Sequence, residues 1–234
     1  MFKILLQIVL ILYIIFLFFN IMDLKKYNVN GFIKTCSDED EAKQNILNLN
    51  PILLNHENDY EINEVIIDKD TYIENLVFEE RDYIEIDNDK SLLRIIDRGI
   101  LPSLLTQRHS KITQVNNESI SIYKNNQGIL KNCYSNNTII YIVDGDTTLY
   151  LFNPKHKDEI KDKQVESIKK WAHIKKLQKG DYLIIPTNWL YFLETGDKCI
   201  LYNNKVNNIF TIIPNFIRDN YETFKLPDLI SSVK

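Results

Sequence analysis

The stretch from Lys179 to Asn204, KGDYLIIPTNWLYFLETGDKCILYNN, constrains the fold more than any other part of this chain. It begins with a turn at Gly180–Asp181 and continues as an apolar strand that ends at the Pro-Thr-Asn-Trp corner of 186–189. Two more apolar segments flank Thr195–Asp197, which predicts a pair of strands around that turn. Short apolar strands separated by closely spaced turns are typical of a β sandwich or barrel.

Alternating apolar residues predict further strands in front of this stretch. They lie at 51–54, 60–67, 72–78, 83–86, 112–123, 138–143 and 148–152. The Asp-Gly turn at 144–146 lies between two apolar strands, and this pattern predicts a hairpin. The segment 91–105 fits either a helix or a buried strand, and the charged segment 158–176 predicts helix or loop. The domain is therefore predicted to be mainly β, with a few flanking helices.

A short helix is predicted before the first of these strands. Ser37 suits the N-cap position, and the acidic residues up to Glu41 suit a first turn because they interact favourably with the helix dipole. The segment 42–49 is amphipathic, and Asn50–Pro51 ends it. The acidic run is interpreted as a solvated cap, with a metal or partner site as the alternative.

The N-terminus, from Phe2 to Met22, is almost wholly apolar. As a helix it is about 30 Å long, which matches the hydrocarbon core of a bilayer. A buried helix of a soluble protein would keep a polar stripe, and this segment has none. A cleaved signal peptide is the other alternative, but the apolar stretch is long and no small-x-small cleavage site follows it. The sequence predicts a transmembrane anchor at 1–22, a polar tether at 23–36 and one domain at 37–234.

Cysteine and charge content indicate the surroundings of the domain. Cys36, Cys133 and Cys199 are widely spaced and form neither a disulfide framework nor a CxxC zinc pattern, although one disulfide with one free thiol remains an alternative. The cysteines are most simply reduced, buried thiols, so the domain of this single-pass protein is predicted to face a reducing, cytosolic side. The sequons at Asn117 and Asn136 matter only if the domain faces a secretory lumen.

Lysines flank both sides of the apolar segment, so the positive-inside rule gives no orientation. The net charge of −4 shows no excess of basic residues, which argues against a nucleic acid partner. The predicted partners are the lipid bilayer, through residues 2–22, and membrane-associated proteins.

Two phrases of the sequence resemble one family of oxygenases. Lys179–Asn204 resembles the "pGD, apolar strand, PxxWxHxV" phrase of JmjC and asparaginyl-hydroxylase enzymes, and Asn137–Pro154 resembles their strand, glycine turn and proline-ended strand. The resemblance covers roughly Pro51 to Pro214. It implies a cupin-like jelly roll, the double-stranded β-helix.

Those enzymes bind iron through two histidines and one carboxylate, which leaves positions open for 2-oxoglutarate and oxygen. The resemblance places Lys131 and Cys133 where the HxD motif belongs, and Tyr191 where the second histidine belongs. It therefore implies a degenerate metal site. No catalytic residue, metal ligand or cofactor is predicted. Trp189 is expected to pack the end of the barrel, with an aromatic pocket for a small molecule as the alternative.

The chain also lacks the serine-elbow, Walker and HExxH motifs, so the favoured function is a membrane-anchored, non-catalytic binding or structural module, a pseudoenzyme. The alternative is an Fe(II)/2-oxoglutarate oxygenase with an unorthodox metal site, which requires His109 or His173 beside Tyr191 and Cys133. A carbohydrate- or nucleotide-binding cupin is a third hypothesis. The four histidines, at 56, 109, 156 and 173, are otherwise predicted to lie on the surface.

Overall fold

The fold is taken from a computed structural model. It describes residues 2–36, 38–54, 65–67, 83–87, 93–95, 114–123, 130–160, 163–196, 198–208, 211, 212 and 215. The strands are β1 (Lys34–Thr35), β2 (Ile52–Leu54), β3 (Val65–Ile67), β4 (Tyr83–Asp87), β5 (Leu93–Ile95), β6 (Gln114–Tyr123), β7 (Lys131–Asn132), β8 (Asn137–Asp144), β9 (Asp146–Phe152), β10 (Ala172–Gln178), β11 (Tyr182–Pro186), β12 (Leu190–Glu194) and β13 (Cys199–Asn208). The helices are α1 (Phe2–Leu24), α2 (Glu39–Leu47), α3 (Lys157–Ile160) and α4 (Val165–Ile168), with 3₁₀ turns at Pro154–His156 and Lys169–Trp171.

Two sheets build the domain. The larger has the strand order β1-β2-β11-β8-β13-β6-β4, and the smaller has the order β10-β9-β12-β7. A separate pair is formed by β3 and β5. The pairing of β1 with β2 is parallel. All the pairings among the strands from β6 to β13 are antiparallel.

The eight strands from β6 to β13 pair in a nested order. The outermost strands, β6 and β13, pair with each other, and then β7 pairs with β12, β8 with β11 and β9 with β10. Successive pairs alternate between the two sheets. A long hairpin wound in this way is a jelly roll, or double-stranded β-helix. The predicted mainly β fold is confirmed by this pairing.

The hairpin predicted at Asp144–Asp146 is wrong. Although β8 and β9 follow each other directly, they lie in different sheets, and the turn carries the chain from one sheet to the other. Gly145 has φ +81°, and an added Cβ would collide with the carbonyl oxygen of Lys198. A positive φ at a glycine suits a crossing as well as a hairpin, so the turn alone does not decide the partner. The strand pair predicted around Thr195–Asp197 is wrong for the same reason, since β12 and β13 lie in different sheets.

Apolar side chains fill the space between the two sheets and cover their outer faces. Ile140 and Ile142 of β8 belong to the interior cluster, and Ile139 and Tyr141 belong to the cluster that α2 covers. Both faces of the larger sheet are therefore buried, which explains the continuous apolar run of β8. A third cluster packs Ile160 of α3 and Ile168 of α4 against the outer face of the smaller sheet; its other buried members are Tyr150, Phe152, Leu190 and Phe192.

Other details differ from the sequence predictions. Asp38, rather than Ser37, caps α2, with its Oδ1 accepting a hydrogen bond from the backbone N–H of Glu41 at 2.7 Å. The segment 172–178, predicted to be helix or loop up to residue 176, forms β10 along β9. Predicted strand residues 60–64 and 72–78 lie outside the described residues, as do His56 and His109.

The N-terminal segment is helical. α1 is 23 residues long, and Ile4, Leu10 and Phe19 expose 62%, 58% and 64% of their surface. Over the described part of the chain, no helix combines the length and apolarity that a membrane span requires.

The second half of the predicted tether packs against the domain. Gly31 is buried, Ile33 belongs to the interior cluster, and Lys34–Thr35 forms β1 at the edge of the larger sheet. Cys36 is fully buried in the cluster beneath α2. The chain is therefore fixed to the domain well before residue 37.

Candidate functional site at one end of the barrel

The register of the smaller sheet places four residues in one row. Tyr191 of β12 lies opposite Lys131 of β7 on one side and opposite Leu151 of β9 on the other. Leu151 in turn lies opposite His173 of β10. Directly opposite residues share a face, with Cβ atoms about 4.5–5.5 Å apart. Because Leu151 and Tyr191 belong to the interior cluster, the row faces the inside of the barrel.

The stretch after β7 is held against the corner before β12. The backbone N–H of Cys133 donates to the carbonyl of Trp189 at 2.9 Å, and Asn188 donates to the carbonyl of Cys133 at 2.7 Å. Asn188 has φ +71°, a left-handed conformation that asparagine tolerates better than most residues. The Thr-Asn-Trp corner therefore fixes Cys133 next to Trp189.

Both side chains at this corner are buried, Cys133 with 1% and Trp189 with 0% of its surface exposed. Lys131 is half-buried, and its ammonium lies 6.0 Å from the ring centroid of Tyr123. The structure thus brings together Lys131, Cys133, Tyr191 and Trp189, the four site residues that the sequence singled out.

This set of side chains does not fit an iron ion that is held by two histidines and one carboxylate. A protonated lysine has no lone pair to offer and repels a divalent cation, and the remaining cysteine and tyrosine do not make the two-histidine, one-carboxylate set. Within the described ranges, no three His, Cys, Asp or Glu side chains come close enough to hold a metal ion.

His173 is the histidine of this row, and it is half-buried rather than on the surface, as is His156. Burial lowers the pKa of His173 below its usual value, and the positive charge of Lys155 and the nearby His156 lower it further. Its ring centroid lies 6.2 Å from that of Trp189. Two strand spacings separate its backbone from that of Tyr191, about 10 Å. His173 is thus a neutral imidazole at the edge of the site.

The N-terminal segment covers this end of the barrel. A Cβ added to Gly31 would lie 3.0 Å from Cζ2 of Trp189, so the backbone there packs directly on the indole. The amide nitrogen of Asn153, at the end of β9, donates to the carbonyls of Asn28, Val29 and Gly31 at 3.0, 3.2 and 2.9 Å. Sequence reasoning missed Asn153 and Gly31. The one signal was the Asn-Pro pair that ends β9, and it says nothing about a partner near the N-terminus.

A second polar cluster lies on the outer face of the smaller sheet. The ammonium of Lys169 contacts Oε1 of Glu166 at 2.8 Å and Oε1 of Glu194 at 3.1 Å, and the Tyr150 hydroxyl donates to Oε2 of Glu194 at 2.7 Å. The Tyr150 bond, together with Lys169, lowers the pKa of Glu194. The hydrogen bonds that Lys169 donates to Glu166 and Glu194 raise the pKa of Lys169 to about 12. These contacts tie α4 to the sheet.

Comparisons with known proteins give partial structural matches. No family model matches the sequence, and no curated protein is significantly similar to it. A cupin superfamily protein from Desulfitobacterium hafniense is 9% identical over 62% of this chain and 96% of its own, with a TM-score of 0.34. Oxalate decarboxylase from Lactobacillus farciminis, as a formate complex, is 14% identical over 57% of this chain and 31% of its own, also with a TM-score of 0.34.

The iron(II) form of the enzyme HppE in complex with its substrate is 8% identical over 61% of this chain, with a TM-score of 0.32. The chain spans 62% of that structure, less than two thirds of its length. The nested strand pairing of this chain is what defines it as a double-stranded β-helix.

Proposed function

We propose that this protein is a membrane-anchored, non-catalytic module with a cupin-like domain, which binds or organises membrane-associated proteins. The observation that supports it is the residue set at the barrel end. Lys131, Cys133 and Tyr191 occupy neighbouring places there, and Trp189 fills the interior beside them. The likeness to JmjC-type hydroxylases, with their metal ligands replaced, belongs to the same proposal.

The anchor is the second part of the proposal. α1 exposes apolar side chains along its whole described length, a larger apolar surface than soluble proteins keep in contact with water. A bilayer is the surface that covers such a helix on all sides. We expect flotation of the full chain with lipid vesicles, resistance to carbonate extraction, and loss of both when residues 2–22 are removed.

The environment of the cysteines and of one sequon supports a cytosolic domain. All three cysteines are buried free thiols. Asn136 is buried as well, and its side-chain oxygen accepts hydrogen bonds from the Thr211 hydroxyl at 2.6 Å and from the backbone of Asn208 at 3.2 Å. A glycan on Asn136 is incompatible with this packing, so the sequon suits a domain that does not face the secretory lumen.

The test is metal content and 2-oxoglutarate binding of the full chain, purified in detergent without chelator. The protein is then supplied with Fe(II), Mn(II) or Zn(II). We expect no stoichiometric metal by mass spectrometry and no thermal shift with 2-oxoglutarate. One equivalent of tightly held metal contradicts the non-catalytic proposal.

A matched variant tests whether this corner is the site of lost ligands. Lys131→His, Cys133→Asp and Tyr191→His together restore two imidazoles and one carboxylate at adjacent backbone positions. We expect this triple variant to bind about one divalent metal, because that set suits open-sided iron sites. Lys131→His alone is the control and is expected to bind none. A folded triple variant that binds no metal contradicts the assignment of these positions.

The alternative, an oxygenase with an unorthodox metal site, depends on His173, which two strand spacings separate from Tyr191. His173 lies in the row of Tyr191 and Lys131, and its lowered pKa keeps the imidazole neutral, as a metal ligand requires. If the wild-type protein holds iron, we expect His173→Ala to release it. His156→Ala, a change at the other half-buried histidine, is the control.

A further inference from the structure

The segment from Asn28 to Ile33, here called the strap, is fixed across the barrel end. Three of its carbonyls accept hydrogen bonds from the amide of Asn153, which is 1% exposed. At its start, the Asn28 amide donates to the carbonyl of Asn48 at 3.1 Å and to Oδ1 of Asn50 at 3.0 Å. At its end, Ile33 enters the interior cluster. The strap is therefore part of the domain.

The strap begins very close to the end of α1. The helix ends at Leu24, and the backbone N–H of Lys25 still bonds to the carbonyl of Met22 at 3.3 Å. The residues between the helix and the strap are Lys25, Lys26 and Tyr27. Three residues span at most about 10 Å when fully extended. A membrane-inserted α1 would thus bring the strap to the bilayer surface.

The side chains exposed along this part of the chain have the chemistry of a membrane interface. Tyr27, Val29 and Phe32 expose 39%, 54% and 46% of their surface. Lys25 and Lys26 are exposed, and aromatic residues with adjacent lysines are enriched at the headgroup level of membranes. The backbone of the strap meanwhile packs on the barrel and leaves the side chains of Tyr27, Val29 and Phe32 facing outward, with the ammonium of Lys34 4.0 Å from the ring centroid of Phe32.

We propose that the strap is a membrane-contact surface, with Tyr27, Val29 and Phe32 inserted in the headgroup region of an anionic bilayer. This holds the Trp189 end of the barrel against the membrane. The inference rests on the proposed anchoring by α1 and adds to it a fixed orientation of the domain. Continuity with the apolar helix argues for lipid over a protein partner, because a bilayer that takes up α1 lies within reach of the strap.

Site-specific fluorescence on the full chain tests this. Phe32→Cys is labelled with bimane, since the native cysteines are buried, and the protein is reconstituted into phosphatidylcholine–phosphatidylserine vesicles. Gly196→Cys is the matched control. It lies after β12, at the opposite end of the barrel, in a place where an added Cβ meets nothing within 4 Å. We expect brominated lipids to quench the label at position 32 several-fold more than the label at position 196.

Flotation of the same samples separates the possible failures. If the vesicles float without the protein, both the membrane anchor and the strap contact are contradicted. If the protein floats but the labels at positions 32 and 196 are quenched equally, the anchor is supported and the strap contact is wrong. A protein partner then becomes the candidate occupant of the strap. Val29→Cys provides a second labelled position, for which the same result is expected.

Discussion

Asn153 is the residue whose side-chain amide bonds the N-terminal segment to the barrel. Its nitrogen is shared by the carbonyls of Asn28, Val29 and Gly31, and its oxygen accepts from the backbone N–H of Lys155 at 3.0 Å. One buried side chain thus satisfies backbone groups on both sides of the contact.

Asn153→Ala is expected to lower the free energy of unfolding by about 1–3 kcal/mol, because the buried contact to the Gly31 carbonyl and the half-buried contacts to the carbonyls of Asn28 and Val29 are lost. Faster proteolysis between residues 25 and 36 is expected as well, since the strap loses its hydrogen bonds. Urea denaturation of the full chain in detergent checks the first effect, and limited proteolysis checks the second. Gln44→Ala, at an exposed position of α2, is the control. Equal stability of both variants would show that the strap contact is weak.

Gly31 permits a close approach that a larger residue blocks. A Cβ there lies 3.0 Å from both Cζ2 of Trp189 and the carbonyl of Asn28, so Gly31→Ala is expected to destabilise the fold by about 1–3 kcal/mol through overpacking. Gly196→Ala, which meets nothing within 4 Å, is expected to be neutral or slightly stabilising. Thermal melts of the two variants side by side make the comparison. A neutral Gly31→Ala would contradict close packing of the strap on the indole.

Local spacing explains which of these residues the sequence revealed. Lys131, Cys133 and Tyr191 were found because a strand keeps fixed offsets from its turn, and these offsets can be read from the local sequence. Asn153 and Gly31 were not found because they are separated by 122 residues along the chain. An Asn-Pro pair and a lone glycine specify turns, and they carry no information about a distant partner.

At the scale of elements, charge holds the helical insert to the smaller sheet. Lys169, beside α4, bridges Glu166 in that helix and Glu194 in β12, and the Tyr150 hydroxyl completes the cluster. The folded pKa of Glu194 is depressed, so its contribution to stability is present above its unfolded pKa and is lost as the pH falls through the folded value. The raised pKa of Lys169 acts in the opposite direction, with stability lost as the pH rises through about 12.

Glu194→Gln is therefore expected to lower stability at pH 7 by about 1 kcal/mol, because both partners are partly exposed to solvent. The difference from wild type is expected to shrink as the pH falls from the ordinary glutamate pKa, about 4.3, through the lowered pKa of folded Glu194, because the wild-type carboxylate becomes protonated over that range. Urea midpoints measured between pH 3 and 8 give the profile. Asp158→Asn, on α3 of the same insert, is the control. A difference that is constant with pH would rule out an electrostatic role for this cluster.

Elements were easier to predict than their partners. The apolar pattern located β2, β3, β4, β6, β8, β9, β11, β12 and the start of β13, because half-buried and buried strands carry regular apolar residues. It missed β10, whose residues Ile174, Lys175 and Lys176 are exposed at the edge of the sheet. Charged residues are common on such edges, and they resemble the pattern of a loop. Both predicted hairpins failed because the partner of each strand is decided by the winding of the whole barrel.

At the scale of the whole molecule, the three thiols are buried in two apolar clusters of the domain. Cys36 lies beneath α2, while Cys133 and Cys199 belong to the interior cluster. Burial raises the pKa of Cys36 to about 11 and that of Cys199 to about 12, so both are neutral thiols at physiological pH. Neutral, buried thiols are unreactive toward disulfide reagents.

We expect none of the three cysteines to react with Ellman's reagent at pH 8 while the domain is folded, and all three to react in denaturant. Gly196→Cys supplies an exposed thiol that is expected to react at once, which shows that the reagent is active. If the native thiols become reactive, equal rates are expected because one global opening exposes them together. A single fast native thiol would mean that its part of the core opens alone.

The nested strand pairing also dictates an order in time. β9 and β10 are joined by the shortest connection among the four pairs, and each outer pair needs the inner ones in place to close its loop at a low entropic cost. During synthesis β6, β7 and β8 leave the ribosome before any strand that they pair with across the nest. A chain held at a membrane by its first helix would therefore wait there with half of its barrel unpaired. We expect its assembly to depend on how fast the second half is translated.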